Sequence, residues 1–240
     1  MQPDRTLIPM GPDLWIVNNP HRWMGLDMRG RMTVMRLDDG ALALHSPVPI
    51  DDALAEGLAA LGPVRHLIAP NTFHDAYLAA AKARYPEATA WGAPGLEKPS
   101  KGLPLDATVP EPGEAPIWGA TVDYVRFTAA PSISEVICFH RPSKAIIFTD
   151  MVMNVHRCEG PISRLVFWLE GVWRRPGIPR LCKLAIRDKA AAAQAASIMS
   201  SWPIEQIIVC HGDPIVGPEV ASVMDQFARV RPKRLAAPTG

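Results

Sequence analysis

Two histidines and an aspartate each stand just past an apolar run: His74 after 64–70, Asp150 after 145–149, and His211 after 207–210. Short apolar runs that stop at turn chemistry read as buried strands. Ligands and catalytic groups in sheet-based proteins gather where such strands end. Two imidazoles and a carboxylate are enough to hold a zinc-class ion with one position left open, and iron(II) or manganese would accept the same donors. Each residue also has a purely structural reading. His74 could open a helix, Asp150 could cap the segment after its strand, and His211 could belong to a turn with Gly212 and Asp213. Their shared placement favours one common site.

The bulk properties narrow the partners of such a site. A chain of 240 residues is long enough for a sizeable core. Its formal net charge of +1 provides no long-range field to gather nucleic acid or anionic lipid. The basic cluster Arg229, Arg231, Lys233 and Arg234 reads as part of a frayed tail over 231–240. No run approaches membrane-spanning length and the start lacks an apolar leader, so the expectation is a cytoplasmic protein acting on a small molecule. Cys138, Cys158, Cys182 and Cys210 are scattered without a C-x-x-C pair, which argues against a disulfide framework and a structural zinc knot. Strand alternation would turn Cys210 away from the side taken by His211.

The elements that must position the trio can be read in order. Strands are expected at 14–17, 32–37 and 41–45, with Asp38-Asp39-Gly40 as the hairpin turn between the last two. A helix opened by Asp51 runs to Gly62-Pro63, a strand comes next at 64–69, and a second helix is expected from His74 to Arg84. After a short strand at 88–91, residues 92–116 read as a long surface loop rich in Pro, Gly and Lys. Further strands are expected at 119–127, 135–140 and 145–149, then a helix at 188–199, a strand at 206–210 and a closing helix at 218–230. The pattern predicts a single domain over 1–240, of mixed layers, with sheet on sheet and helices outside. Residues 162–186 carry a conspicuously apolar patch ending in Arg174-Arg175. They read as a lid over the site, a homodimer surface, a membrane-facing edge or a segment buried against the domain. The low overall charge favours lid or dimer among the functional options.

This layout resembles the metallo-β-lactamase fold hydrolases, over roughly 14 to 230, and in particular an offshoot catalogued as a domain of unknown function. Ala80-Ala81-Lys82-Ala83-Arg84-Tyr85-Pro86 is similar to the helix end that comes after the superfamily's H-x-H-x-D-H motif. Counted back in that frame, the four motif positions are Ala69, Asn71, Phe73 and His74, so only the last histidine is kept. The turn at Thr128-Ala129-Ala130-Pro131-Ser132 stands where another ligand histidine is usual and has none. Ile146-Ile147-Phe148-Thr149-Asp150 resembles the strand whose aspartate bridges two metals, and Val209-Cys210-His211-Gly212-Asp213 resembles the terminal strand with its histidine. The resemblance implies an α/β fold of the αββα sandwich type, two mixed sheets face to face with helices outside.

The surviving donors belong to the second metal's ligands and the bridge. The expectation is therefore a reduced, mononuclear site of His74, Asp150 and His211, zinc first, with Asp150 and His211 also counted as catalytic. His45 ends a strand where the superfamily usually carries a supporting aspartate. It reads as a replacement ligand or a hydrogen-bonding core residue. Asn71 and Asp75 are further candidates for an extra ligand, against readings as a turn residue and a helix first-turn charge. His156 and Arg157 read as a solvated loop. Two functions are compatible with these residues: a metal-dependent hydrolase of an ester, thioester, lactone or phosphoester, or a non-catalytic binding protein that kept the fold and lost the dinuclear site.

Overall fold

A computed structural model describes residues 5–97, 102–113 and 117–230. The tail expected to fray, 231–240, lies outside them, as do 98–101 and 114–116 of the expected loop. The chain opens on β1 (Ile8–Gly11) and β2 (Leu14–Asn19), a two-stranded ribbon of β3 (Arg22–Trp23) and β4 (Leu26–Asp27), then β5 (Gly30–Arg36) and β6 (Leu42–His45). It continues through α1 (Asp52–Leu61), β7 (Val64–Ala69), α2 (Leu78–Arg84), β8 (Thr89–Gly92) and β9 (Ala107–Thr108). The second half comprises β10 (Val122–Phe127), β11 (Glu135–His140), β12 (Ala145–Phe148), α3 (Pro161–Leu169), α4 (Arg180–Ala185), α5 (Lys189–Ser200), β13 (Gln206–Val209), β14 (Ile215–Val216) and α6 (Pro218–Ala228).

These elements form two mixed sheets, one of order β1-β2-β5-β6-β7-β8-β9 and one of order β10-β11-β12-β13-β14. Local chemistry sets the turns between them. The β5–β6 hairpin closes where Gly40 takes a left-handed φ of 80° and Asp39 Oδ1 accepts the amide of Ala41 at 2.9 Å. Asp51 caps α1 by accepting from Leu54, and Asp188 caps α5 by accepting from Ala190 and Ala191. Gly62 ends α1 where a Cβ would lie 2.3 Å from the Gly40 carbonyl oxygen, so only glycine fits.

The central strands are apolar on both faces because both faces are covered. Val136, Cys138, Ala145, Ile147 and Ile208 join the core shared with the first sheet, together with Val34, Leu44 and Leu67. Their neighbours Ile137, Phe139, Ile146, Phe148 and Val209 pack instead with Ala192, Ala195, Val223 and Phe227 of α5 and α6. On the far side, Leu54 and Leu58 of α1 and Leu78 and Ala81 of α2 complete the first core. Helix, sheet, sheet and helix are thus stacked in the expected αββα order.

Three differences from the sequence expectation have physical reasons. The second helix starts at Leu78, not at His74, because Asn71 Oδ1 accepts the amides of Phe73 and His74 and winds that stretch into a turn. Within 92–116 the two residues of β9 pair in parallel with β8, and Val109 is fully buried. Several strands here, β1, β3, β4, β9 and β14, are at most four residues long, too short to show a period in sequence.

A candidate metal centre

The trio converges at the open edge between the sheets. His74 comes from the turn after β7, Asp150 from two residues past β12, and His211 from two residues past β13. Gly212 makes the last placement feasible. Its φ is 102°, and a Cβ there would lie 1.9 Å from the Asn154 carbonyl oxygen. The chain packs backbone to backbone at that point, with Asn154 N donating to His211 O at 3.1 Å and Asp213 N to Asn154 O at 2.9 Å.

The donor atoms form a small triangle. His74 Nε2 lies 3.2 Å from His211 Nε2 and 3.5 Å from Asp150 Oδ2, and His211 Nε2 lies 3.2 Å from Asp150 Oδ1. Four donors at about 2.0 Å around a zinc-class ion stand roughly 3.3 Å apart, so the donor set fits such an ion by spacing as well as by chemistry. His211 Nδ1 faces the carbonyl oxygens of Arg29 at 2.7 Å and Met28 at 3.0 Å. It donates to them, which leaves Nε2 as the ring atom that faces the site. His74 Nδ1 lies 2.8 Å from Ser46 Oγ.

Electrostatics binds the three tightly. Burial alone would lower the pKa of His74, but the charge and hydrogen bond of Asp150 outweigh it and hold the imidazole well above its usual value. Burial alone would raise the pKa of Asp150. The charge of His74 and the hydrogen bonds of both histidines hold it well below the carboxylate range instead. In the ion-free protein, a proton on His74 thus occupies the place where a cation would sit.

Residues that the sequence reading did not single out hold this arrangement. Glu135, 1% exposed, accepts three successive backbone amides, Thr149 at 2.7 Å, Asp150 at 2.8 Å and Met151 at 3.0 Å. Its sequence signal is an acidic residue at the head of the otherwise apolar run Glu135-Val136-Ile137-Cys138-Phe139. Ser46 takes a left-handed φ of 55°, a strain that aims its hydroxyl at His74 and that no sequence pattern announces.

The additional candidates are not gathered into the donor group. Asn71 lies beneath it, its Nδ2 donating to Asp150 Oδ2 at 2.7 Å and Thr149 Oγ1 at 2.8 Å. Asp75 sits in the turn leading to α2, where its carbonyl accepts Leu78 N. His45 is fully buried on β6, opposite Thr33 of β5. The expected hydrogen bond is missing: neither ring nitrogen has a partner among the described residues. Burial first, then the charge of His74, lower its pKa to about 3. The Val136 backbone opposes the shift without reaching hydrogen-bond geometry. His156 bonds Asn154 Oδ1 at 2.8 Å. Cys210 departs from the strand-alternation expectation, because β13 ends at Val209. Its thiol donates to Arg31 O at 3.2 Å and lies close enough to act on His74.

A cleft of about 370 Å³ opens over the triangle, within the range of small-molecule sites. Trp23, Val48, Phe73, Tyr77, Phe167 and Leu181 are among the residues that line it. Segment 162–186 therefore supplies a wall of the cleft, α3 and α4. It is tied to the chain past Asp150 by bridges Met153–Gly177 and Val155–Trp173.

A family profile described as Domain of unknown function (DUF4336) matches residues 12–167. No curated protein matches the sequence. Solved structures do: a metallo-beta-lactamase from Pontibacter korlensis aligns with TM-score 0.61 and 12% identity, over 94% of this chain and 97% of that one. One from Hirschia baltica gives 0.60 and 16%, over 95% and 98%. The metallo-beta-lactamase FIM-1 from Pseudomonas aeruginosa in the mono-zinc form gives 0.59 and 13%, over 93% and 94%. At such identities the likeness speaks for the fold alone. With the profile covering more than half of the sequence, the chain belongs to the DUF4336 family, as a divergent member of the metallo-β-lactamase fold.

Proposed function

We propose that the protein is a metal-dependent hydrolase with one ion held by His74, Asp150 and His211, zinc being the best match to two nitrogens and a carboxylate. The observation that carries this reading is the donor triangle, with edges of 3.2, 3.2 and 3.5 Å at the floor of a cleft. Since the donors come from both sheets, the chain acts in this reading as one functional unit. One ion is preferred over two because Ala69 and Phe73 offer no donor and Asn71 is engaged with Asp150 and Thr149.

When bound, such an ion supplies Lewis acidity that polarises a carbonyl and makes water nucleophilic near neutral pH. The chain's own residues do the rest. The Met28 and Arg29 carbonyls hold the proton on His211 Nδ1, Ser46 orients His74, and Asn71 and Glu135 fix Asp150 and its backbone. The apolar walls exclude water and favour a substrate with a sizeable apolar part. Arg31, the arginine lining the cleft, already donates to Val209 O at 2.6 Å and Asn18 Oδ1 at 2.9 Å. With no free cation among the described residues that line the cleft to meet phosphate, a neutral ester, thioester or lactone fits better than a phosphoester.

The test is metal content by plasma mass spectrometry on protein purified without chelator or histidine tag, alongside His211→Ala. Near-stoichiometric metal lost in the variant, with hydrolysis of neutral acyl esters above phosphoesters, is the expected result. Less than about a tenth of an equivalent after reconstitution would sink the proposal. The engagement of Asn71 in internal hydrogen bonds favours a second reading, a binding protein that uses the cleft alone. In that case a triple His74, Asp150 and His211 to Ala variant keeps its cellular phenotype, which the hydrolase reading forbids.

A further inference from the structure

The outer face of segment 162–186 is apolar where it need not be. On α3, Ser163 and Phe167 point inward, while Ile162, Leu165 and Leu169, at spacings of three and four, share the outward face with Trp168. They are 69%, 54%, 49% and 61% exposed. On α4, Cys182 is buried, and Leu181 and Leu184 are 66% and 73% exposed. Singly exposed apolar residues are ordinary, but a contiguous set on two adjoining helices marks a surface that is covered in use.

Charge identifies the cover. The segment holds Arg164, Arg174, Arg175, Arg180 and Lys183 against the single carboxylate Glu170, a net +4 in a chain of net +1. All five cations are exposed, and none pairs with a carboxylate among the described residues. Glu170 is itself used to accept Leu181 N at 2.9 Å. The cations crowd one another: burial, then the charges of Arg175 and Arg180, lower the pKa of Lys183. Arg164 and Arg174 both lie 5.6 Å over the Trp173 ring, at the rim of the apolar face.

From these features we infer that the outer face of α3 and α4 docks on an anionic lipid bilayer, with the cleft mouth turned toward the headgroups. Apolar residues that enter the interface beside a rim of arginines are the pattern of helices lying in the membrane plane. Neither helix is long and apolar enough to cross. A second copy is a poorer occupant, because a two-fold interface would set the same cations against each other. Leu181 belongs both to the exposed face and to the cleft lining, and Phe73 and Trp23, 54% and 50% exposed, also line the cleft. Docking therefore places the cleft at the surface, where an apolar substrate would be concentrated.

Cosedimentation with unilamellar vesicles tests this on the full chain. Binding is expected to phosphatidylcholine–phosphatidylserine vesicles and to be much weaker with phosphatidylcholine alone. It should fall as salt rises from about 0.1 M to about 1 M, where the screening length drops from roughly 10 Å to 3 Å. R174Q/R175Q should weaken binding about thirty-fold, two cations' worth of surface attraction, and L165E/W168E should abolish it. All four positions are solvent-facing, so the fold is retained, as circular dichroism would verify. Binding should be equal with and without added zinc, which separates this proposal from the metal centre. No partition onto anionic vesicles, or partition indifferent to R174Q/R175Q, overturns it. So does a concentration-dependent dimer that L165E dissociates and vesicles do not compete with.

Discussion

The side-chain amide of Asn71 donates to Asp150 Oδ2 at 2.7 Å, from a position where the superfamily pattern calls for a ligand histidine. Its carbonyl oxygen meanwhile accepts the amide of His74 at 3.0 Å. One residue thus sets two of the three donors, as support and not as ligand. Removing such support costs about 10- to 100-fold in metal affinity. Asn71→Ala should therefore weaken zinc binding by that factor in a chelator competition, with the site otherwise present. Unchanged affinity would mean that the turn after β7 holds His74 without Asn71.

A proton and an ion compete for one place. His74 is held above its ordinary pKa by Asp150, so an ion must displace its Nε2 proton. Below that raised pKa, apparent affinity should climb about tenfold per pH unit. Competition titrations at pH 6 and pH 7 read this directly, and equal affinities would contradict the assignment. The same pair bears on the metal-free fold. Asp150 is depressed and His74 raised, so their attraction is fully present between the unfolded values, about 3.9 and 6.5. It fades as pH rises through the folded pKa of His74 and as it falls through that of Asp150.

The layers and the placement of His74, Asp150 and His211 at strand ends were legible in the sequence because each depends on local pattern. Continuous apolar runs that stop at Thr149-Asp150 and Cys210-His211 mark buried strands, and the β-turn and helix-cap residues fall where the chain turns. The features that escaped depend on distance across the fold. Glu135 lies 14 to 16 residues before the amides it binds, and Ser46 meets His74 across two elements. The helix expected to start at His74 is displaced by a side chain, Asn71, competing for the same backbone amides. The exposed face of α3 was equally hidden, since an apolar run in sequence does not say which side is covered.

Glu135 is the fold's contribution to the site that stability measurements can isolate. Its carboxylate takes the amides of Thr149, Asp150 and Met151, which have no water to turn to. Glu135→Ala strands those donors in the interior and should cost about 4 kcal/mol, whereas Glu135→Gln, keeping one acceptor oxygen, should cost about half of that. Urea midpoints for the two variants check the order. Equal and small losses would show that the turn after β12 is held by packing alone.

Two buried histidines should make the protein acid-sensitive. His45 and His140 are both fully buried. Their pKa values are lowered to about 3 and about 4, burial being the main cause in each case. His140 Nδ1 has Ser143 Oγ at 2.7 Å, but its Nε2 has no partner among the described residues. Both rings stay neutral in the folded protein at pH 5 while the unfolded chain, near 6.5, protonates them. From these two rings the unfolded state binds two more protons, a contribution that raises stability with pH by about 2.7 kcal/mol per unit around pH 5 and levels off above 6.5. His21 and His66, also lowered, add to it, and the raised Glu135 opposes it. His74 does not disturb this window, being protonated in both states at pH 5. Urea melts of chelator-treated protein between pH 4.5 and 5.5, roughly centred on that window, give the slope. His140→Gln should lower it by about 1.4 kcal/mol per pH unit, one proton's worth. A slope that His140→Gln leaves unchanged would mean that His140 takes up its proton in the folded state, and that the interior between the sheets is wetter than its packing implies.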